Sequence, residues 1–136
     1  MKSLLKSKAL IILSVVSVSI LLFAFTPAIQ EEWEIPAKYQ KMKNPTTADD
    51  ANLLTGKTLY KKHCKSCHGS KGLGDGPKAE NLETPIRSLK DKEYKAQADG
   101  VKYYKSFIGR DEMPNFEKKI TDEEDRWFII NYMETL

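Results

Sequence analysis

Apolar residues form one long run near the N-terminus and, later in the chain, shorter groups spaced three or four residues apart. The long run, Ala9–Phe25, is interrupted only by serines and follows three lysines, with no acidic residue before Glu31. A basic start, an apolar stretch and small residues after it are typical of a secretory signal peptide. Residues 1–28 are therefore predicted to be a signal peptide cleaved after Ala28. Because the run is almost long enough to cross a bilayer, a retained N-terminal membrane anchor through residues 9–25 is the alternative.

Residues 29–50 contain few large apolar groups and are predicted to form an extended leader arm. Pro36 and Pro45, with polar residues between them, favour a linker. Trp33 favours a second interpretation, in which the arm docks on the following domain, because an isolated exposed tryptophan would be unfavourable. The arm is expected to precede one domain at residues 51–136.

Between Ala51 and Cys67 the apolar positions recur every three and four residues, which predicts a helix. Gly56 lies inside it and costs about 1 kcal/mol relative to alanine, so we expect another helix to approach closely at that point. Three residues near the start are candidate N-caps: Asp49, Asp50 and Asn52.

The clearest helix ends the chain. Thr121 and Glu124 have the spacing of a capping box, and a broad apolar face follows them. That face consists of Trp127, Ile129, Ile130, Tyr132 and Met133.

Two shorter helices are predicted at Lys92–Gln97 and Asp99–Ile108. Asp99 is the expected cap of the second, and Gly109 is expected to end it. No segment has a convincing strand pattern, so the sequence predicts an all-α domain.

Charge argues against a nucleic-acid partner. The chain has 22 basic and 19 acidic residues, a formal net charge of +3. Residues 1–28 hold three of the basic residues and no acidic one, so the remainder carries 19 of each sign. A nucleic-acid-binding domain would be basic in its own right.

The segment from Gly69 to Pro77 is rich in glycine and is predicted to be a loop. It lacks the preceding strand and the lysine–serine ending of a phosphate-binding loop, which excludes that function. Glycines are expected where backbone must lie close to a flat ligand.

Cys64, Cys67 and His68 form a Cys-x-x-Cys-His motif, the attachment pattern of a c-type haem. Two thiols three residues apart at a helix end can each add to one vinyl group of a porphyrin, and the adjacent histidine can bind its iron. Two cysteines are too few for a four-thiolate zinc site, and a redox-active dithiol would require a βαβ unit. An exported disulfide is the remaining alternative, but it would leave His68 without a role.

With this motif the sequence resembles class I c-type cytochromes, and the resemblance extends over about residues 51–136. It implies a small cytochrome c fold of the bacterial exported type, with three to five helices around one covalent haem c. Gly56 and Tyr60 resemble the glycine and aromatic residue of the N-terminal helix in that family. Ile129 and Tyr132 resemble the C-terminal helix positions that pack against them.

The resemblance also implies further site residues. Gly76-Pro77 resembles the turn whose proline carbonyl accepts a hydrogen bond from the ligating histidine, so Pro77 is an expected cofactor-binding residue. The segment 110–114 resembles the loop that carries the second iron ligand, which would be Met113.

Three other side chains compete with Met113 in principle. Met42 belongs to the leader arm, Met133 lies on the apolar helix face, and His63 lies on the attachment helix itself. Met113 is preferred because a loop can bring its thioether to the far side of the ring.

Ligation by His68 and Met113 would saturate the iron, which predicts a one-electron carrier with redox protein partners and no small-molecule substrate. A haem c subunit held permanently in a membrane-associated oxidoreductase complex is the alternative, and an open-iron sensor or enzyme a third. The expected location is the periplasm or the outer face of the cytoplasmic membrane. Several lysines flank the motif and indicate either a solvated face or a surface for acidic partners: Lys61, Lys62, Lys65, Lys71 and Lys78.

Overall fold

The fold was analysed in a computed structural model, which describes residues 32–136. Residues 33–136 form one compact unit. The signal peptide or anchor predicted at 1–28 lies outside the described residues. Within the part that is described, no helix is long and apolar enough to cross a membrane.

The described residues contain six α-helices and no strand beyond one isolated bridge, which confirms the all-α class. The number of helices exceeds the expected three to five because three of them are single turns of four residues. A 3₁₀ turn at Ala79–Asn81 and a π-helical turn at Tyr104–Ile108 complete the order. The helices are α1 (Ala37–Gln40), α2 (Asp50–His63), α3 (Lys65–His68), α4 (Lys92–Lys95), α5 (Asp99–Tyr103) and α6 (Glu123–Glu134).

Helices α2 and α6 make the most extensive contact between elements. At their crossing a Cβ on Gly56 would collide with the Phe128 carbonyl and lie 3.1 Å from the Ile129 nitrogen. This confirms that Gly56 is needed for close approach of a second helix. Next to the crossing, the rings of Tyr60 and Tyr132 are 5.3 Å apart between centroids.

The predicted apolar face of α6 supplies four of the eleven buried hydrophobic residues of the core. Trp127 and Ile129 are fully buried, and the Tyr103 ring packs at a tilt against Trp127 with 4.7 Å between ring centroids. The buried Arg126 donates from Nε to the Tyr103 hydroxyl at 2.7 Å and from Nη1 to the Ile120 carbonyl at 2.5 Å. Its charge is therefore held by neutral acceptors at the start of α6.

Two predicted helix caps are wrong. The N-cap of α6 is Asp122, which accepts from the Glu124 amide at 2.9 Å, and not Thr121 of the predicted capping box. Asp99 does not cap α5, because its carboxylate accepts from the amide of Asn44 at 3.1 Å. At α6 a neighbouring acceptor, Asp122, pairs with the Glu124 amide in place of Thr121; at α5 a distant donor, the Asn44 amide, pairs with the carboxylate of Asp99.

The segment predicted as an extended arm is helical over Ala37–Gln40 and packs on the rest of the unit. Tyr39 is buried, and its carbonyl would collide with any Cβ at Gly100. Asn44 donates from Nδ2 to Asn131 Oδ1 at 2.7 Å, which joins the arm to α6. The arm is docked, and backbone proximity together with buried amide pairing holds it in place.

The predicted helix at 51–67 is divided in two. Asp49 is the cap that α2 uses, accepting from the Asn52 amide at 3.0 Å, and α2 ends at His63. Cys64 separates it from α3 with φ of −112°, yet its amide still donates to Tyr60 at 2.9 Å. The attachment motif therefore occupies a separate helical turn immediately after α2.

The predicted second short helix also changes character along its length. It is α-helical over Asp99–Tyr103 and π-helical over Tyr104–Ile108, and Gly109 ends it with φ of 70°. The wider turn lets Phe107 face the core while Tyr104 faces the arm, 4.8 Å from the Tyr39 ring. Single π-helical turns inside helices often occur beside functional sites.

Candidate functional site

The three motif residues lie on one tight turn. The amides of Cys67 and His68 both donate to the Cys64 carbonyl, at 3.2 and 2.9 Å. Both thiols are free and half-buried, and burial raises the pKa of Cys64 to about 12, with the neighbouring Cys67 adding to the shift. The Cys64 thiol is thus protonated at neutral pH, and the two cysteines are held one helical turn apart.

The glycine-rich loop folds back on this turn. Gly76 donates to the Cys67 carbonyl at 3.0 Å and Lys78 donates to the Ser66 carbonyl at 2.8 Å. A Cβ on Gly76 would lie only 2.5 Å from the Ser66 oxygen, so a larger residue could not occupy the position. These two bonds hold Pro77 beside α3.

Tyr60 connects α2 to the same loop. Its fully buried hydroxyl donates to the Gly69 carbonyl at 2.8 Å, and burial raises its pKa, so it remains a donor at all ordinary pH values. This residue, which the resemblance indicated as a packing position, also fixes the backbone directly after His68.

His68 does not make the hydrogen bond expected with Pro77. Its Nδ1 is buried and has no hydrogen-bond partner, and burial lowers the pKa of the ring, which favours the neutral form. An imidazole that favours the neutral form and has an unpaired, buried nitrogen is suited to metal ligation.

Met113 closes a tight turn that begins at Arg110. The Met113 amide donates to the Arg110 carbonyl at 2.8 Å, and the two residues form an isolated bridge. Gly109 is packed so closely that a Cβ there would collide with the Met113 carbonyl. The Met113 side chain is half-buried and packs on the core, so its thioether is neither fully solvated nor enclosed.

The competing side chains have different surroundings. Met133 is 4% exposed in α6, with its sulfur 4.0 Å from the Tyr94 hydroxyl, which agrees with core packing. Met42 packs against Gly100, because a Cβ added at Gly100 would lie 2.6 Å from the Cβ of Met42. His63 lies edge-on to Phe116, with ring centroids 6.1 Å apart.

Sequence reasoning missed a contact that holds the Met113 turn from the outside. The Glu112 carboxylate accepts from the amides of Glu83 and Thr84 at 3.0 and 2.9 Å, and these bonds lower its pKa. The partners are 29 and 28 residues apart from Glu112 in the chain. Since no local spacing rule connects such positions, the sequence offered no signal for this contact.

The residues present fit a covalently bound haem. Two free thiols lie on one turn, and a half-buried imidazole with a buried, unpaired Nδ1 follows directly. Within residues 32–136, no group of three or more His, Cys, Asp or Glu side chains could hold a metal ion by itself. Cys64 and Cys67 would hold the porphyrin through thioethers, and His68 would bind its iron.

The helical fold and the Cys-x-x-Cys-His turn define a small haem c protein. The family model described as Cytochrome c matches residues 53–136, and the chain belongs to the cytochrome c family. A search of curated proteins finds no match. Family membership supports a covalent haem c, bound iron and a role in electron transfer.

Proposed function

We propose that this protein is a one-electron carrier that holds haem c through thioethers at Cys64 and Cys67 and binds its iron with His68 and Met113. The observation that carries the proposal is the turn from Arg110 to Met113, whose 2.8 Å hydrogen bond presents a half-buried thioether from a constrained loop. The other candidate thioethers are packed in the core of α6 or against α5. Of the available side chains, Met113 is the best suited to approach an iron.

The chain's own residues would keep the site rigid. The bound haem supplies a one-electron iron couple, and a thioether ligand raises its reduction potential relative to a second nitrogen ligand. Tyr60, Gly76 and Glu112 fix the backbone on either side of the ligands through the hydrogen bonds described above. With His68 and Met113 both bound to the iron, no substrate would bind it, and little rearrangement would accompany the change of charge.

The Met113 assignment is tested by Met113→Ala in the purified haem protein, with Met133→Leu and Met42→Leu as matched controls. A thioether–iron bond gives the ferric protein a weak absorption band near the red end of the spectrum. We expect Met113→Ala to remove this band and both leucine variants to keep it. A band that survives in Met113→Ala would contradict the ligation and show that another thioether binds the iron, whereas a wild-type protein without the band would favour an open-iron sensor or enzyme.

The proposed partners are redox proteins with acidic surfaces, in the periplasm or at the outer face of the cytoplasmic membrane. The lysines that flank the motif are all exposed, which supports electrostatic steering of such partners. Steering predicts that electron transfer slows as ionic strength rises; a rate independent of salt would contradict it. Those lysines are Lys61, Lys62, Lys65, Lys71 and Lys78.

A second candidate function is a haem c subunit held permanently in a membrane-associated oxidoreductase complex. The docked arm supports this function, because contacts of Asn44 and Tyr39 hold the segment that precedes the domain firmly against the domain. The intact mass of the native protein distinguishes the two, since retention of residues 1–28 favours the anchored subunit and their loss favours the free carrier.

A further inference from the structure

Trp33 of the arm packs against the start of the Met113 turn. The guanidinium carbon of Arg110 lies 4.4 Å from the centroid of the half-buried indole. Tyr104 meets the same ring edge-on, with centroids 6.3 Å apart, and the Lys105 ammonium is 5.9 Å from the centroid. A guanidinium within about 6 Å of a tryptophan face is attracted by the ring. The arm thus binds a residue of the turn from outside the stretch that the family model matches.

Arg110 connects this contact to Met113 through the backbone. Its carbonyl accepts the Met113 amide, while its side chain rests on Trp33. Before the turn, Gly109 is packed against the Met113 carbonyl; within it, Glu112 is bonded to a distant loop. The turn is therefore held at three places, and Trp33 contributes to holding its first residue.

We infer that Trp33 is a positioning residue for Met113: by stacking on Arg110 it fixes the first residue of the turn and keeps the thioether aimed at the iron. This inference rests on the proposed function, in which Met113 is a ligand. The arm would then help to keep Met113 bound to the iron, in addition to covering the core.

The first test measures the turn itself. The Met113 amide donates to the Arg110 carbonyl, so in the haem protein we expect it to be protected from hydrogen exchange. We expect Trp33→Ala to speed exchange at this amide about fivefold, which corresponds to about 1 kcal/mol at 1.4 kcal/mol per tenfold. Trp33→Phe keeps an aromatic face and should restore most of the protection. An unchanged exchange rate in Trp33→Ala would overturn the inference whichever group binds the iron.

The second test measures the iron. Imidazole added to the ferric protein must displace the weak axial ligand, so Trp33→Ala should raise imidazole affinity about fivefold and weaken the red-end band. Lys105→Ala is the matched control, because it removes the other cation near the indole without touching the turn, and it should behave as wild type. Asn44→Ala loosens the arm at α6, away from the turn, and should lower stability without altering the band.

The outcomes separate this inference from the proposed ligation. If Met113→Ala leaves the band unchanged, the ligation is wrong, and amide exchange alone then decides whether Trp33 holds the turn. If Met113→Ala removes the band but Trp33→Ala shows wild-type imidazole affinity, the ligation stands and the positioning role is wrong. Equal effects of Trp33→Ala and Asn44→Ala on the band would also overturn it, because they would indicate general loosening.

Discussion

Gly56 is the residue at which two helices depend most directly on the absence of a side chain. Helix propensity alone predicts that Gly56→Ala stabilises the protein by about 1 kcal/mol. The structure predicts the opposite sign, because the added methyl would collide with the backbone of Phe128. Overpacking of this kind costs about 1–3 kcal/mol, so we expect a lower thermal midpoint for the haem protein.

Thr55 provides the control for that measurement. It is exposed one position earlier on α2 and its hydroxyl donates to the Ala51 carbonyl at 3.1 Å. Thr55→Ala should change the free energy of unfolding by no more than about 0.5 kcal/mol, as exposed substitutions usually do. A stabilising Gly56→Ala would show that α2 and α6 can separate, and that the close crossing is not required.

Which site residues could be predicted from the sequence depends on how close together they lie in the chain. Cys64, Cys67 and His68 are adjacent in the chain, so one helical turn is enough to bring them together. Gly56 was predictable because a glycine inside an amphipathic helix requires a reason. Trp33 and Arg110 were not linked by any pattern, because their contact depends on how the arm folds back over the domain.

At the scale of elements, the start of α2 is held by the carboxylate of Asp49. Two hydrogen bonds lower the pKa of this carboxyl below its ordinary value of 3.8. The larger effect comes from the bond donated by the Asn52 amide, and the second from the bond donated by the Thr47 hydroxyl. A lowered pKa in the folded state means that the ionised carboxylate stabilises the fold above about pH 3.8. That stabilisation is lost as the pH falls through the folded-state pKa.

Asp49→Asn tests this contribution, because asparagine is a comparable N-cap that does not titrate. We expect wild type to be the more stable protein at neutral pH and the difference to disappear in acid, as measured by denaturant unfolding at several pH values. Asp50→Asn removes the same charge one residue further on and serves as the control. If the difference in the free energy of unfolding between wild type and Asp49→Asn did not change with pH, ionisation of the Asp49 carboxyl would not contribute to stability.

Helix positions were more predictable than helix ends. The apolar spacing placed α2 and α6 correctly because the faces that generate the spacing are the faces that are buried. The caps predicted at Thr121 and Asp99 were wrong because the polar side chains and amides near a helix start can pair in more than one way. One of the partners chosen, the Asn44 amide, is 55 residues from Asp99, beyond any local rule.

Among the described residues, only α2 and α6 are longer than five residues. Between residues 69 and 98 the described chain has only one 3₁₀ turn and one four-residue helix, and backbone bonds to the motif turn hold residues 69–78. Further along, Leu89 donates to the Gly72 carbonyl at 2.7 Å and is one of the few buried residues of this stretch. Domains of this size have little core to spare, so a buried prosthetic group would account for much of their cohesion.

We therefore expect removal of the attachment cysteines to prevent stable folding. In a Cys64→Ala/Cys67→Ala double variant, haem can no longer be attached, and the stretch around the motif turn loses the apolar group it would pack against. We expect the variant to lack a cooperative thermal transition by circular dichroism, whereas the wild-type haem protein shows one. Ser66→Ala, which lies between the cysteines and keeps both, is the control and should retain the transition. A cooperative transition in the double variant would show that the helices and the docked arm specify the fold without the haem, and that α2, α6 and the arm form a sufficient core.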